Sequence, residues 1–169
     1  LNKVVRMEEL CPMIQELLAG GSSVQFTVTG ISMRPMLMHQ RDQVELTTAP
    51  ANLHRYDIPL YQRENGSFIL HRIVKVEKDG TYTCVGDGQT TLETGVQQEQ
   101  VVAVVRSFIR KGKKIPCNNK GYRVYARVWT ALFPIRPMLL QMIRGIGKVK
   151  KKLHKIILRM RKPIGKLLE

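Results

Sequence analysis

Three islands of this sequence hold, in order, the residue types of nucleophilic acyl chemistry. Ser32 lies in Thr29-Gly-Ile-Ser-Met-Arg-Pro-Met-Leu37, a glycine-marked bend directly after an apolar, strand-like run. His71 follows in Leu70-His-Arg-Ile-Val74, and Asp87 in Gly86-Asp-Gly-Gln89. A serine hydroxyl is a poor nucleophile near neutral pH, whereas neutral imidazole, with an ordinary pKa of about 6.5, takes its proton and later returns it to a leaving amine. A carboxylate bonded to the other imidazole nitrogen would fix the tautomer and stabilise the imidazolium, and Asp87 is the candidate for that place. Each island alone has a plainer explanation: a turn serine, a satisfied core histidine, an Asp-Gly turn held by local hydrogen bonds. Their order and spacing favour the chemistry.

Lys75, on the same run as His71, is a competing base for a Ser-Lys arrangement, which would need its amine desolvated and its pKa brought down from about 10.4. Four strand residues separate His71 and Lys75 by about 13 Å, so only one of them can meet Ser32. The Lys75-Val-Glu-Lys78 pattern reads as an exposed face, which leaves His71. His39 and His54 sit in polar, loop-like segments and read as solvated; His154 belongs to a basic tail. Met33 and Met36 flank the serine and are candidates to line the substrate side. Cys11, Cys84 and Cys117 have neither metal-ligand spacing nor an even count for disulfides, so a reduced environment is expected, with no metal or organic cofactor.

Ser32-Met33 with Pro35, Asp42-x-Val44, Tyr56-Asp57-Ile58, Leu70-His-Arg-Ile-Val74, Gly86-Asp87 and the closing Val101-Val-Ala-Val-Val-Arg106 resemble the ordered blocks of the S24/S26 serine peptidases. That group holds type I signal peptidases and self-cleaving repressor-type proteases, and the resemblance spans residues 23–110. Histidine where Ser-Lys members carry lysine is similar to the endoplasmic-reticulum and spore-former signal peptidases. The resemblance implies a mainly antiparallel β fold, with Ser32 as nucleophile, His71 as general base, Asp87 as acidic partner and Glu93 at the place of a second acid. Three departures concern loops: Arg41 precedes Asp42 and Tyr56 precedes Asp57 where Gly-Asp turns are usual, and Gly88-Gln89 replaces a pair of asparagines. Gly30 stands where Ser-Lys relatives can use a hydroxyl in the oxyanion hole, which leaves the Ser32 backbone N–H as the nameable donor.

The elements that must hold these residues are legible in part. Residues 5–18 read as a short amphipathic helix stopped by Gly20-Gly21, and Val24, Phe26 and Val28 alternate as a half-buried strand leading to the serine. Further strands are expected at 43–46, 58–62, 68–76, 81–85 and 101–109, with Asn65-Gly66 and Asp79-Gly80 as hairpin turns. At 169 residues the chain suits one compact domain, which we divide as a helix over 1–22, a peptidase-like domain over 23–110 and a basic helical tail over 111–169.

The charge follows that division. Residues 1–109 hold 10 Lys/Arg against 12 Asp/Glu, while residues 110–169 hold 18 against a single acid. Met142, Ile146, Val149, Leu153, Ile156, Ile157, Met160, Ile164 and Leu167 recur at helical spacing, with lysines and arginines on the opposite arc and a kink expected at Pro163. A basic amphipathic helix suits an anionic membrane interface, here through residues 128–168, with Trp129, Leu132, Phe133, Ile135, Met138 and Leu139 deepening the contact. Arg136 and Arg144 interrupt any uncharged span of membrane length. Packing against the domain or a partner is the plainer alternative. Nucleic acid is a rival partner, since so basic a segment binds polyanions at low salt, but no zinc-finger spacing, helix-turn-helix or aromatic platform accompanies it. The expected activity is that of a serine endopeptidase acting on a signal or leader peptide or a related protein. The alternative is a peptide-binding or nucleic-acid-binding regulator of the same fold. The acidic residues among Leu1 to Ala19 do not read as a secretory signal, and the expected location is the cytoplasm or the cytoplasmic membrane surface.

Overall fold

The computed structural model describes the backbone of residues 7–160 and the side chains of residues 9–147 and 153. Helix α1 (Met7–Ala19) sets Leu10, Ile14 and Leu18 on one face, and Ile14 and Leu18 are buried. It closes at Gly21, whose φ of 77° lets the N–H groups of Gly21 and Ser22 reach the carbonyls of Leu18 and Leu17, satisfying the last turn.

The strands are β1 (Val24–Thr27), β2 (Gln43–Thr47), β3 (Pro59–Gln62), β4 (Phe68–Leu70), β5 (Arg72–Val76), β6 (Tyr82–Val85), β7 (Glu93–Val96), β8 (Val101–Arg110) and β9 (Lys113–Pro116). Every pairing among them is antiparallel. One curled sheet runs β1-β2-β8-β3-β4, with β9 continuing beside β3 along the same edge of the long strand β8; a second sheet runs β5-β6-β7. The Asn65-Gly66 and Asp79-Gly80 turns close the β3–β4 and β5–β6 hairpins, with Gly66 at φ 82° and Gly80 at φ 86°. The chain is therefore mainly antiparallel β with a short N-terminal helix.

The strand expected over 68–76 is broken. β4 ends at Leu70, paired with Leu60, and β5 begins at Arg72, paired with Val85 in the other sheet, so His71 is the residue at which the chain changes sheets. Residues on either side feed two separate clusters. Val28, Met33, Met36, Leu37, Val44, Leu46, Ile58, Leu60 and Phe108 form the larger one with α1, and Leu53, Tyr61, Ile73, Tyr82 and Cys84 the smaller. Full burial of a side chain such as Leu37, Leu46 or Ile58 contributes about 1.5–3 kcal/mol.

The described residues fall into two compact units, divided between Leu132 and Phe133. The division expected at residue 110 thus lies inside the first unit. β9 and helix α2 (Lys120–Ala131) belong to it, because Tyr122 and Ala126 pack into the larger core. Asn119 caps α2, its side-chain oxygen accepting the Tyr122 N–H at 3.2 Å. The second unit contains helix α3 (Arg136–Met160), along which Met138, Met142, Ile146 and Leu153 are exposed. The kink expected at Pro163, with Ile164 and Leu167, lies outside the described residues. Among the described residues no helix is long and apolar enough to cross a membrane.

Candidate active site

β1 and the residue after it carry the chain to the serine. Val28 is buried, and Gly30, at φ 95°, turns the backbone in a conformation that side-chain-bearing residues rarely adopt. The turn is braced from an unexpected quarter: Gly30 N–H donates to His39 Nδ1 at 2.9 Å, so His39 is a structural ligand of this bend and not merely a solvated side chain. Met33, Met36 and Leu37 then drop into the core, leaving Ser32 half-buried between exposed Ile31 and buried Met33.

His71, at the crossing between sheets, is only 2% exposed. Its Nδ1 lies 3.4 Å from Tyr61 Oη and 3.7 Å from Glu93 Oε2. Tyr61 Oη gives its proton to Glu93 Oε2 at 2.7 Å, so toward His71 that oxygen can act only as an acceptor. The consistent tautomer carries its proton on Nδ1 and a lone pair on Nε2. Nε2 is buried and has no hydrogen-bond partner; the Ser32 hydroxyl is therefore not bonded to it in this structure. Burial disfavours the imidazolium and brings the His71 pKa down to about 4, against the opposing pull of the Glu93 charge.

The loop after β6 joins these two residues. Gly88 N–H donates to Ser32 O at 2.6 Å. A Cβ on Gly86 would stand 2.5 Å from Ser32 O and 3.1 Å from His71 Nε2, and one on Gly88 would stand 2.8 Å from Arg34 O. The backbone of 86–88 therefore lies against the serine turn and the imidazole edge at once, at an approach only glycine allows.

Asp87 is engaged by an arginine, not by the imidazole expected to be its partner. Both of its carboxylate oxygens are held by Arg72, Nε to Oδ1 at 2.9 Å and Nη2 to Oδ2 at 2.8 Å, and neither residue is exposed. Tyr125 Oη donates to Oδ2 at 3.1 Å, and Trp129 Nε1 donates to the Asp87 carbonyl at 3.0 Å. The expected contact with His71 is replaced by this bidentate ion pair, because a buried guanidinium demands a carboxylate more strongly than a neutral imidazole does. The carboxylate facing His71 is that of Glu93. Arg63 grips Glu93 at 2.7 and 2.6 Å, and those bonds hold its pKa below the ordinary carboxylate value although burial pushes it upward. Arg72, Tyr61 and Arg63 carry this arrangement, and sequence reading assigned them no role. Only the adjacency of Arg72 to His71 gave a signal.

The methionines part company. Met33 lines a cavity of about 240 Å³ beside Ser32, together with Phe26, Val28, Leu60, Phe68 and Leu70. Met36 lines no part of that cavity; it is a core residue whose Sδ lies 3.2 Å from Arg72 Nη2, so its expected place against substrate is withdrawn. Lys75 is exposed, as expected, and paired with Glu77. Trp129, expected to deepen a membrane contact, is instead buried and bonded to the 86–88 loop. The left-handed φ of 83° at Tyr56 falls where the S24/S26 pattern has glycine, and it is held by Tyr56 N–H to Ile73 O at 2.8 Å and Arg72 Nη1 to Tyr56 O at 3.2 Å.

Comparison of the chain with protein-family models, with curated proteins and with solved structures gives no match to any of them.

Proposed function

We propose that the protein is a serine endopeptidase of S24/S26 type, with Ser32 as nucleophile and His71 as general base. The observation that carries this reading is the His71 Nε2 atom. It is buried, unpartnered, neutral and set against the same glycine that touches Ser32. A buried polar atom without a partner costs about 1–3 kcal/mol, and a site that uses it accounts for its retention. On binding of a peptide, Ser32 Oγ attacks the scissile carbonyl while Nε2 takes the hydroxyl proton. The oxyanion meets the Ser32 N–H. Nε2 then passes the proton to the departing amine, and the resulting ester is hydrolysed by water activated in the same way. Glu93, through Tyr61 and directly, keeps the imidazole in its working tautomer and stabilises the imidazolium; Asp87 holds the loop that links serine and base.

The substrate side follows from the sheet. Phe26 and Val28 from the β1 side and Phe68, Ile69 and Leu70 of β4 share one apolar cavity, so the two edges of the curled sheet flank Ser32. An extended peptide could add to an edge and direct a small apolar side chain into about 240 Å³. A signal or leader peptide has that character. The exposed Met138, Met142, Ile146 and Leu153, spaced by four and seven residues on α3, support attachment of the tail to an anionic membrane surface.

The test compares newly formed protein N-termini in cells carrying the intact chain, Ser32→Ala or His71→Ala at equal abundance. Termini lost with both variants would identify substrate and activity together. Unchanged termini with folded variants would overturn the proposal in favour of peptide binding without cleavage.

A further inference from the structure

A further cavity of the first unit has no part in this chemistry. It measures about 590 Å³, a size suited to a small organic ligand, and lies between residues 54–58, strand β8, the segment after β9 and helix α2. Its charged lining is one-sided. Arg55, Arg106, Arg123 and Arg127 line it from three separate parts of the chain, and all four residues are exposed. The single acid, Asp57, is already occupied by the His54 N–H at 2.8 Å and stands 3.9 Å from the His54 ring. Cys117 adds no charge, since burial pushes its thiol up to about 11. By contrast, the cavity beside Glu93 balances Arg63 against Glu64 and Glu93, and the one beside Ser32 has no charged lining residue. The excess is therefore a property of this cavity and not of every hollow on a basic protein.

Arg123 and Arg127 stand four residues apart on α2, an arrangement of like charges that destabilises a helix unless an anion lies between them. Arg55 is stacked on the Tyr56 ring, 5.0 Å from its centroid, which limits where its guanidinium can go. Beneath the charges the floor is apolar and aromatic, with Ile58, Val105, Tyr122 and Ala126. Guanidinium groups bind phosphate oxygens in bidentate fashion, and an apolar floor takes an organic body. We propose that this cavity binds a phosphate monoester, its phosphoryl group held by the arginines of α2 and β8 and its organic part resting on the apolar floor. Such a group could come from a soluble metabolite or from a phospholipid headgroup.

Phenyl phosphate serves as the soluble probe, titrated calorimetrically into the intact chain at physiological ionic strength. Phosphatidylcholine vesicles containing phosphatidic acid serve as the lipid probe, with phosphatidylserine vesicles of equal charge as comparator. Arg123→Ala/Arg127→Ala removes two charges from the cavity, Lys78→Ala/Lys113→Ala removes two exposed charges elsewhere, and Arg106→Gln is a second cavity variant should the first be misfolded. Saturable phenyl phosphate binding that weakens about 10-fold or more in the cavity variants and less than about 2-fold in the lysine variant supports a soluble ester. A cavity-dependent preference for phosphatidic acid vesicles alone supports a headgroup. Equal losses in arginine and lysine variants, or neither binding, overturns the site. None of these readouts depends on Ser32.

Discussion

Which carboxylate serves His71 is a question with a quantitative answer. Glu93→Gln removes a negative charge 3.7 Å from His71 Nδ1 while preserving the shape of the side chain. At that separation a full charge stabilises an imidazolium by about 1 kcal/mol in water-like surroundings and about 4 kcal/mol at an effective dielectric of about 20. Arg63, gripping the same carboxylate, offsets part of this, so we expect a loss of about 1–3 kcal/mol in the transition state. That corresponds to roughly a 5- to 150-fold fall in kcat/KM. The sign on pH follows. Glu93 raises the His71 pKa against the stronger lowering by burial, so its removal moves the acid limb of the kcat/KM profile below about 4. Asp87→Asn should behave differently: it leaves the buried Arg72 charge without its partner, a loss of about 3–5 kcal/mol in stability, with a smaller displacement of the acid limb. The assay is kcat/KM against pH on the peptide found by the N-terminus comparison, beside urea unfolding of each variant. The assignment fails if folded Glu93→Gln keeps full activity while Asp87→Asn moves the acid limb.

Other consequences follow from the same contacts. Because the folded His71 pKa of about 4 lies below the ordinary 6.5, the unfolded chain binds more protons between those values. Stability should therefore be intact above pH 6.5 and fall on the order of 3 kcal/mol as pH drops toward 4, a slope that urea titrations should find flattened in His71→Gln. Gly86→Ala forces a Cβ to within 2.5 Å of Ser32 O, so unfolding should show a loss of about 1–3 kcal/mol and peptide cleavage should drop more than 10-fold; Gly145→Ala, in open space on α3, should leave cleavage unchanged. Glu45 accepts Ser107 Oγ at 2.6 Å and Lys114 Nζ at 2.9 Å, which holds its pKa down to about 2. Glu45→Gln should cost about 1–3 kcal/mol in urea unfolding near neutrality, less as pH falls from 4.5 to 2, and leave kcat/KM alone.

The strands that sequence made legible are those whose side chains alternate against a core or run wholly apolar. β2, β3, β6 and β8 lie within a residue or so of the expected spans, and both glycine hairpins close where their dipeptides indicated. β7 and β9 carried no such signal, since Glu-Thr-Gly-Val buries only Val96 fully and Lys-Lys-Ile-Pro exposes most of its side chains, and both owe their extended form to a neighbour's edge. α2 was hidden for another reason. Its basic residues made it read as the beginning of a tail, whereas Tyr122, Ala126 and Trp129 turn a second face to the core.

The site shows the same division at closer range. Ser32 and His71 sit on segments whose own pattern marks them, a glycine bend after a strand and a polar residue inside an apolar run, and local pattern is what a sequence displays. Pairing a carboxylate with its cation is not local. Asp87 and Glu93 are six residues apart, and each is a plausible partner for a histidine until the guanidinium groups are counted. Arg72, forced inside because it follows His71 into the second sheet, is buried beyond reach of water and must take the one carboxylate on the loop beneath it. Arg63, at the end of the β3–β4 hairpin, keeps Glu93 at the rim, where it still senses the imidazole. The two acids are thus sorted by which arginine each meets. That sorting also explains why α2 belongs with the site: Tyr122 Oη accepts from Arg72 Nη1 at 2.8 Å, and Tyr125 and Trp129 donate to Asp87, so the helix holds the ion pair that holds the loop against Ser32.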